Sequence, residues 1–285
     1  KKLTTLPINY ELKQVLKTIS TMRLQNRVAI ITGAARGIGK AAAEVFCREG
    51  ATVIIWDLLD LGEETASNLR AQGYACEFMK VSTTDVSGIE SATKEVFERF
   101  GKIDILINNA GIVVGKYFHE HSHDDITKTM NINANAPMHI ALAFLSDMMD
   151  QNSGHICNIA SSAGLISNPK MAVYAASKWS VIGWSDSLRL EMKQLKKNIG
   201  VTTVTPYYIS TGMFDGVRSV IPLLKPEKVA NKIIKGIEKN SIFVSMPWSV
   251  HFVRFFQGIL PIWFFDWFVG KVMGVYNTME HFKGR

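Results

Sequence analysis

The stretch "TGAARGIG", Thr32–Gly39, follows an apolar run and precedes a helical pattern, and it decides the fold. Its three glycines allow a tight turn and let the backbone approach a phosphate closely. The helix that follows would point its free N–H groups and the positive end of its dipole at that phosphate. A Gly-rich turn alone is also compatible with an ordinary tight turn. Its place between a strand and a helix predicts a dinucleotide-binding loop with the spacing G-x-x-x-G-x-G.

Outward from this loop, apolar runs of strand length alternate with segments of helical length. The predicted strands are 27–33, 52–57, 104–111, 155–161 and 200–206. This alternation predicts an α/β fold with a doubly wound parallel sheet of the Rossmann type, covered by helices on both faces. No Pro/Gly-rich linker divides the chain. We expect an N-terminal amphipathic segment at 1–24, a single dinucleotide-binding and catalytic domain at 25–218, and a hydrophobic C-terminal extension at 219–285 that forms a substrate lid or lies in a membrane interface.

Composition limits the classes of function. The chain has 285 residues, of which 47% are hydrophobic, so it can form a sizeable core. Its net charge of +7 is spread along the sequence, which disfavours nucleic acid and fits an anionic cofactor or a membrane surface. Cys47, Cys76 and Cys157 are scattered and form no CxxC pair, which favours a reducing, intracellular compartment over a disulfide framework or zinc site.

Asp57 ends the second predicted strand, eighteen residues after Gly39. A carboxylate at this position can accept hydrogen bonds from both ribose hydroxyls of an adenosine and would repel a 2′-phosphate. Arg36 lies inside the loop and would attract that phosphate. Because Asp57 occupies the position that clashes, we expect NAD rather than NADP. The other interpretation of Asp57 is an ordinary turn residue at the end of a strand.

Four motifs occur in order: "TGAARGIG", "NNAG" at 108–111, a Ser before Ala-Gly, and "YAASK" at 174–178. Together they resemble the short-chain dehydrogenase/reductase superfamily over about residues 25–215. The resemblance implies that Tyr174 is the general acid/base and that Ser161 binds the substrate oxygen, with Ser162 as the competing candidate. It also implies an Asn whose backbone holds a water linked to the Lys. Asn133 fits best; Asn131 and Asn135 are the alternatives.

The spacing of Tyr174 and Lys178 has a chemical reason. A free phenol has a pKa near ~10, too high for a base at neutral pH. Lys178 lies one helical turn further on, on the same face. We expect its charge, together with that of an oxidised nicotinamide, to lower the pKa of the phenol toward working pH.

The resemblance also implies a cofactor-binding set with roles beyond catalysis. Asn109 would stabilise the central strands, Gly111 would leave room for the cofactor, and Thr211 would hydrogen-bond the nicotinamide carboxamide. Two departures stand out: Ser82 and Thr83 replace the usual Asp-Val, and Tyr207 replaces the usual Gly after Pro206. The expected cofactor contacts are Gly33, Arg36, Gly37, Ile38, Gly39, Asp57, Asn109, Ala110, Gly111, Tyr174, Lys178, Pro206 and Thr211.

The cluster "HEHSHDD" at 119–125 contains three alternating histidines and could suggest a metal site. Alternation suits a strand, whereas this segment lies between a strand and the helix that carries Asn133. We therefore predict a solvated loop and helix start, with no metal.

The segment 250–275, "VHFVRFFQGILPIWFFDWFVGKVMGV", is aromatic but interrupted by charges and a proline. It is a poor transmembrane candidate and suits a segment lying in a membrane interface, as does the predicted amphipathic helix at 9–22. The alternative is packing on the core, over the active site or in an oligomer.

The segments "IIWDLLDLGEET", "PYYISTGMFDGV", "LLKPEKVANKIIKGIEKN" and "FKGR" resemble the branch containing retinol dehydrogenases and lipid-droplet 17β-hydroxysteroid dehydrogenases. The resemblance implies a lipophilic alcohol substrate (a retinoid, steroid or long-chain lipid), a membrane or lipid-droplet surface, and a homo-oligomer, dimer or tetramer. The alternatives are an NADPH-dependent 3-oxoacyl thioester reductase and a nucleotide-binding scaffold without significant catalysis.

Overall fold

The computed structural model describes residues 22–284. These residues contain a seven-stranded parallel sheet with the strand order β3-β2-β1-β4-β5-β6-β7. The strands are β1 (Val28–Thr32), β2 (Thr52–Asp57), β3 (Cys76–Lys80), β4 (Ile105–Asn108), β5 (Gly154–Ile159), β6 (Ile199–Pro206) and β7 (Phe243–Met246). The order reverses between β1 and β4. In doubly wound sheets, ligands bind at such a reversal, outside the carboxyl ends of the strands.

Helices cover both faces of this sheet and bury two separate apolar clusters. The helices of the sheet region are α1 (Gly37–Arg48), α2 (Leu61–Ala71), α3 (Val86–Phe100), α4 (His123–Met130), α5 (Ala136–Asp150), α6 (Ala172–Gln194) and α7 (Pro226–Glu238). The prediction of a doubly wound α/β fold is confirmed. The amphipathic helix predicted at 9–22 lies outside the described residues, apart from Met22.

The central strands are buried along their whole length because both of their faces contact helices. In β1, which has the sequence VAIIT, every residue is buried. In β2, Trp56 is fully buried, and its ring lies 5.6 Å from that of Phe144 on α5. Such continuous apolar runs are typical of strands in parallel sheets, which contact helices on both sides.

The sheet continues beyond residue 218, where the sequence analysis ends the dinucleotide-binding domain. Helix α7 contributes buried residues to the same cluster as α1, and β7 pairs in parallel with β6. Part of the predicted extension therefore belongs to the sheet and its covering helices. The sequence pattern does not predict strand β7, because its four residues are too few to show a clear alternation of apolar and polar side chains.

After β7 the chain forms short helical segments. They include α8 (Val253–Ile259), α9 (Ile262–Trp267), a π-helix at Phe268–Val272 and a 3-10 turn at Val275–Asn277. Among residues 22–284, none of the helices combines the length and apolar character needed to span a bilayer.

Candidate active site

The glycine-rich loop connects β1 to α1 and turns sharply at two residues. Gly33 and Gly37 have φ of 65° and 64°, in the left-handed region that favours glycine. A Cβ at Gly33 would lie 2.7 Å from Cα of Ala110. A Cβ at Gly39 would overlap the carbonyl oxygen of Gly33. The first two glycines thus shape the turn, and Gly39 allows α1 to pack against it.

An elongated cavity of about 270 Å³ runs from this loop along the carboxyl ends of the central strands. One end is lined by Asp57, Ser82 and Thr83, and the other by Tyr174 and Lys178. All predicted cofactor contacts line it except Gly39, which is buried behind the loop. The exposed Arg36 lies on the wall of the same cavity.

The Asp57 carboxylate is held by two backbone donors. Ala35 donates its N–H to one oxygen at 2.8 Å, and Leu59 donates to the other at 3.0 Å. Because each carboxylate oxygen accepts more than one hydrogen bond, both retain acceptor capacity toward the cavity. This arrangement fixes the carboxylate at the end of β2, on the wall of the cavity.

Asn109 joins β1 and β4 at the edge of the sheet. Its side-chain amide donates to the carbonyl oxygens of Thr32 and Gly33, each at 2.9 Å. Asn108, one residue earlier, donates to the side chain of Asn158 on β5 at 2.9 Å. These bonds tie the glycine-rich loop to the central strands, as the resemblance implies for Asn109.

Tyr174 and Lys178 lie on α6, one turn apart, and both side chains are buried. Lys178 donates from Nζ to the carbonyl oxygen of Ile159 at 2.8 Å. The Nζ atom lies 5.7 Å from the centre of the Tyr174 ring. The cation is therefore fixed at the end of β5, beside the phenol.

Burial shifts the pKa values of both residues of this pair. Burial raises the pKa of Tyr174 to about 12, with a smaller opposing effect from the hydroxyl of Ser161. Burial lowers the pKa of Lys178 to about 8. Among the protein groups, desolvation outweighs the nearby side chains. The lowered phenol pKa expected from the sequence requires the charge of an oxidised nicotinamide together with that of Lys178, and it stays a prediction.

Ser161 follows β5, and its hydroxyl accepts a hydrogen bond from the N–H of Ala163 at 3.1 Å. It lines the cavity together with Tyr174. The competing candidate, Ser162, is also buried but contacts only a smaller adjoining cavity of about 30 Å³. Geometry thus brings Ser161, rather than Ser162, into the same cavity as Tyr174.

Asn133 lies in a π-helical turn, Asn131–Asn135, and its side chain is fully buried. Its side-chain oxygen accepts from the N–H of Ile112 at 2.8 Å, and its amide donates to the Ile112 carbonyl at 2.9 Å. A Cβ at Gly111 would lie 3.2 Å from the Asn133 oxygen and 3.7 Å from Nζ of Lys178. Asn133 therefore adjoins the lysine, and π-helical turns are frequent at functional sites.

The two alternative asparagines are arranged differently. Asn135 is exposed and donates its side-chain amide to Asn131 at 2.9 Å. The side chains of Asn131 and Asn135 are therefore hydrogen-bonded to each other on the outer side of the π-helical turn. Among the predicted candidates, Asn133 is the one that lies beside Gly111 and Lys178.

The histidine cluster forms a short 3-10 turn and the start of α4. Ser122 caps this helix by accepting from the N–H of Asp125 at 3.1 Å. No group of three or more His, Cys, Asp or Glu residues within the described part of the chain could hold a metal ion.

Aromatic residues around Tyr174 were not singled out from the sequence. The ring of Phe214 contacts Tyr174 edge-on at 6.2 Å, and Tyr208 contacts Phe214 at 5.0 Å. Met279 and Phe282, from the end of the chain, belong to the same apolar cluster. Tyr208 and Phe214 lie in "PYYISTGMF", a segment that the resemblance to the family had already drawn attention to. No local pattern in the sequence predicts that Met279 and Phe282 join the cluster around Tyr174.

A family model described as short chain dehydrogenase matches residues 27–221. The chain belongs to the short-chain dehydrogenase/reductase family. It is 34% identical to Epidermal retinol dehydrogenase 2 of Mus musculus over 267 residues, which cover 90% of this chain and 85% of that protein. It is 32% identical to Estradiol 17-beta-dehydrogenase 11 of Pongo abelii over 237 residues, covering 82% and 79%.

The fold of this chain is similar to that of solved structures of the family. A short-chain dehydrogenase/reductase from Burkholderia phymatum, in complex with NAD, has a TM-score of 0.77 and 25% identity, covering 83% of this chain and 94% of that one. The predicted resemblance to the retinol dehydrogenase and hydroxysteroid dehydrogenase branch is confirmed. The chain is an oxidoreductase of this family.

Proposed function

We propose that this chain is an NAD(H)-dependent oxidoreductase that interconverts a lipophilic alcohol and its carbonyl. The observation that carries the proposal is the convergence of Ser161, Tyr174 and Lys178 at one end of a cavity whose other end is the glycine-rich loop and Asp57. Gly33 and Gly37 line this cavity, so the backbone of the loop can approach a phosphate of a dinucleotide closely. When bound, its nicotinamide supplies the hydride acceptor or donor and, when oxidised, a positive charge.

In the oxidation direction, Tyr174 takes the proton of the substrate hydroxyl, and in the reduction direction it returns one. Ser161 holds the substrate oxygen in front of the phenol. Lys178 would hold the nicotinamide ribose and stabilise the phenolate, since its Nζ is fixed by Ile159 close to the ring. Asn133, whose side chain is fixed by the backbone of Ile112, would hold through its own backbone a water linked to Lys178. A positioned acid/base contributes about 10²- to 10⁴-fold to the rate.

Asp57 supports NAD over NADP. Its carboxylate is fixed by Ala35 and Leu59 at the end of β2, where it would accept from ribose hydroxyls and repel a phosphate. Ser82 and Thr83 line the cavity nearby in place of the usual Asp-Val. Arg36 is the group that would favour a phosphate.

A lipophilic substrate is supported by the walls around Tyr174. Tyr207 and Phe214 line both the large cavity and the small one beside it. The relatives named as retinol and estradiol dehydrogenases suggest a retinoid, a steroid or a long-chain lipid as the alcohol. A 3-oxoacyl thioester is the alternative substrate and would accompany NADPH.

The proposal includes a peripheral position at an intracellular membrane or lipid-droplet surface. Residues 247–273 expose Trp248, Trp263 and Trp267, which suit a membrane interface. Asp266 accepts a hydrogen bond from the hydroxyl of Tyr276 at 2.6 Å, so its charge is partnered. The three free, buried cysteines are compatible with a reducing compartment. The competing partner for this surface is a second copy in a dimer or tetramer.

The test of the cofactor and substrate assignment is a fluorescence titration with NADH and NADPH. We expect NADH to bind more tightly, Asp57→Ala to remove that preference, and the matched control Asp60→Ala to keep it, because the exposed Asp60 pairs with Lys80 outside the cavity. Retinoid, steroid and fatty alcohols are then assayed with NAD. Tighter NADPH binding by the wild type would contradict the assignment, and 3-oxoacyl thioesters would be tested first.

A further inference from the structure

Helix α6 carries two buried serines that bond to the helix backbone in the same way. Ser177 donates its hydroxyl hydrogen to the carbonyl oxygen of Tyr174 at 2.7 Å. Ser185 donates to the carbonyl oxygen of Val181 at 2.6 Å. Both serines are at most 1% exposed. Ser177 lies within the turn that joins Tyr174 to Lys178, whereas Ser185 lies about two turns further along the helix.

Each serine hydroxyl also accepts a hydrogen bond from a buried asparagine. The Asn133 amide donates to Oγ of Ser177 at 3.1 Å. The Asn158 amide donates to Oγ of Ser185 at 2.9 Å. The two serines therefore differ in the element that they join to α6. Ser177 joins the π-helical turn Asn131–Asn135 to α6, and Ser185 joins β5 to it.

The side chain of Asn133 is held at three points. Its oxygen accepts from the N–H of Ile112 at 2.8 Å, and its amide donates to the Ile112 carbonyl at 2.9 Å and to Ser177. A side-chain amide has two N–H donors, so both are used here. Loss of the Ser177 hydroxyl would leave one of these buried donors unpaired and would break the link between Asn133 and α6.

The turn that Ser177 holds lies beside the reacting groups. A Cβ at Gly111 would lie 3.2 Å from Oδ1 of Asn133 and 3.7 Å from Nζ of Lys178, so these two side chains approach the same point. The side-chain bonds of Asn133 to Ile112 fix the turn to the segment that follows β4. Its bond to Ser177 is the one that fixes the turn to α6.

We infer that Ser177 is a positioning residue for the proposed reaction, and that its hydroxyl holds the Asn133 turn in place against the turn of α6 that carries Tyr174 and Lys178. This inference rests on the proposed oxidoreductase function. Ser177 is fully buried and lines neither cavity, so it acts through Asn133 and not by contact with substrate or cofactor. A small displacement of reacting groups lowers the rate of the chemical step more than it weakens binding.

The experiment compares Ser177→Ala with the matched control Ser185→Ala. Each substitution removes a buried hydroxyl that donates to the helix backbone and accepts from an asparagine, so both should lower the urea midpoint of unfolding by a similar amount.

The kinetic readout is the kcat for the alcohol that the wild type oxidises fastest among retinoid, steroid and fatty alcohols. We expect kcat to fall by about tenfold in Ser177→Ala and to change by less than about twofold in Ser185→Ala. The KM for the alcohol and the Kd for NADH should stay within about twofold of the wild-type values in both variants. The unchanged Kd also shows that both variants are folded.

Hydrogen exchange measures the positioning without turnover. The amide of Ile112, which donates to Asn133, and the amides of residues 131–135 should exchange about tenfold faster in Ser177→Ala than in the wild type. The same amides should exchange at the wild-type rate in Ser185→Ala, because Ser185 bonds to Asn158 and not to this turn.

The failures can be told apart. If the wild type is active and the two variants lose kcat equally, or if exchange at residues 131–135 is unchanged in Ser177→Ala, the inference alone is overturned. A loss that appears in KM with kcat unchanged overturns it as well. A wild type that turns over no alcohol or carbonyl with either cofactor overturns the proposed function and the inference with it.

Discussion

The sheet and the segment that follows it, residues 247–273, are both rich in apolar residues, but they bury them to very different extents. Trp56 on β2 is fully buried, whereas Trp263 on α9 is 70% exposed. The strands contact helices on both faces, while α8 and α9 are single short helices with one covered side. Apolar content alone does not decide burial; the number of packing partners does. An exposed aromatic face of this kind marks an interaction surface.

The largest expected effect is at the catalytic end of the sheet. Tyr174→Phe removes the hydroxyl that exchanges the proton, and we expect kcat to fall by about 10²- to 10⁴-fold while the Kd for NADH changes by less than about twofold. Steady-state kinetics and fluorescence titration measure the two quantities. Tyr74→Phe, between α2 and β3, is the control and should keep full activity. Retained activity in Tyr174→Phe would remove the phenol from the mechanism.

The comparison of the two tryptophans can be tested directly. We expect Trp56→Ala to lower the free energy of unfolding by about 3–5 kcal/mol, because it leaves a cavity against Phe144. Trp263→Ala should change it by less than about 0.5 kcal/mol, since its side chain is mostly solvated. Denaturant titration gives both values. A large loss in Trp263→Ala would mean that its ring is buried in an oligomer or elsewhere.

The same variant tests the lipid surface. Trp263→Ala should weaken co-sedimentation with vesicles of anionic phospholipid by about tenfold, because one interfacial aromatic is lost. Trp179→Ala, on α6 and 44% exposed, is the matched control and should bind like the wild type. Equal effects of the two substitutions, or no binding by the wild type, would favour self-association as the reason for the aromatic face.

A further prediction concerns the pH dependence of stability, through a histidine buried in the sheet. Burial lowers the pKa of His155 on β5 from 6.5 to about 4, so the folded chain resists a proton that the unfolded chain binds. Its contribution to stability is full above pH 6.5 and is lost as the pH falls toward 4. The shift corresponds to about 3 kcal/mol.

His155→Gln should therefore flatten the decline of the unfolding free energy between pH 6.5 and 4. Urea titrations across that range measure the decline. His139→Gln, at an exposed position of α5, is the control and should leave it as in the wild type. An unchanged slope in His155→Gln would show that folding does not lower the pKa of this histidine.

The sequence predicted the fold and the position of the candidate site because both depend on local patterns. The glycine spacing of residues 33–39 and the single turn between Tyr174 and Lys178 need only one strand and one helix to be interpreted. The parallel sheet then brings the ends of these elements to one edge, as the order of the motifs requires. The roles of these residues in catalysis remain predictions.

Other features followed from contacts that no local pattern encodes. Strand β7 joins the sheet through β6, some forty residues earlier in the chain, and Met279 joins the apolar cluster of Tyr174 from more than a hundred residues away. Burial of this kind also raises the pKa of Tyr174.

The sequence by itself thus determined the alternation of strands and helices, the glycine-rich turn and the spacing of Tyr174 and Lys178, since each depends on a few consecutive residues. Only the tertiary structure decided which aromatic residues are buried and which residues from distant parts of the chain pack around Tyr174. These depend on the packing of segments that are distant in the chain, where small shifts in position decide whether a side chain is buried or exposed.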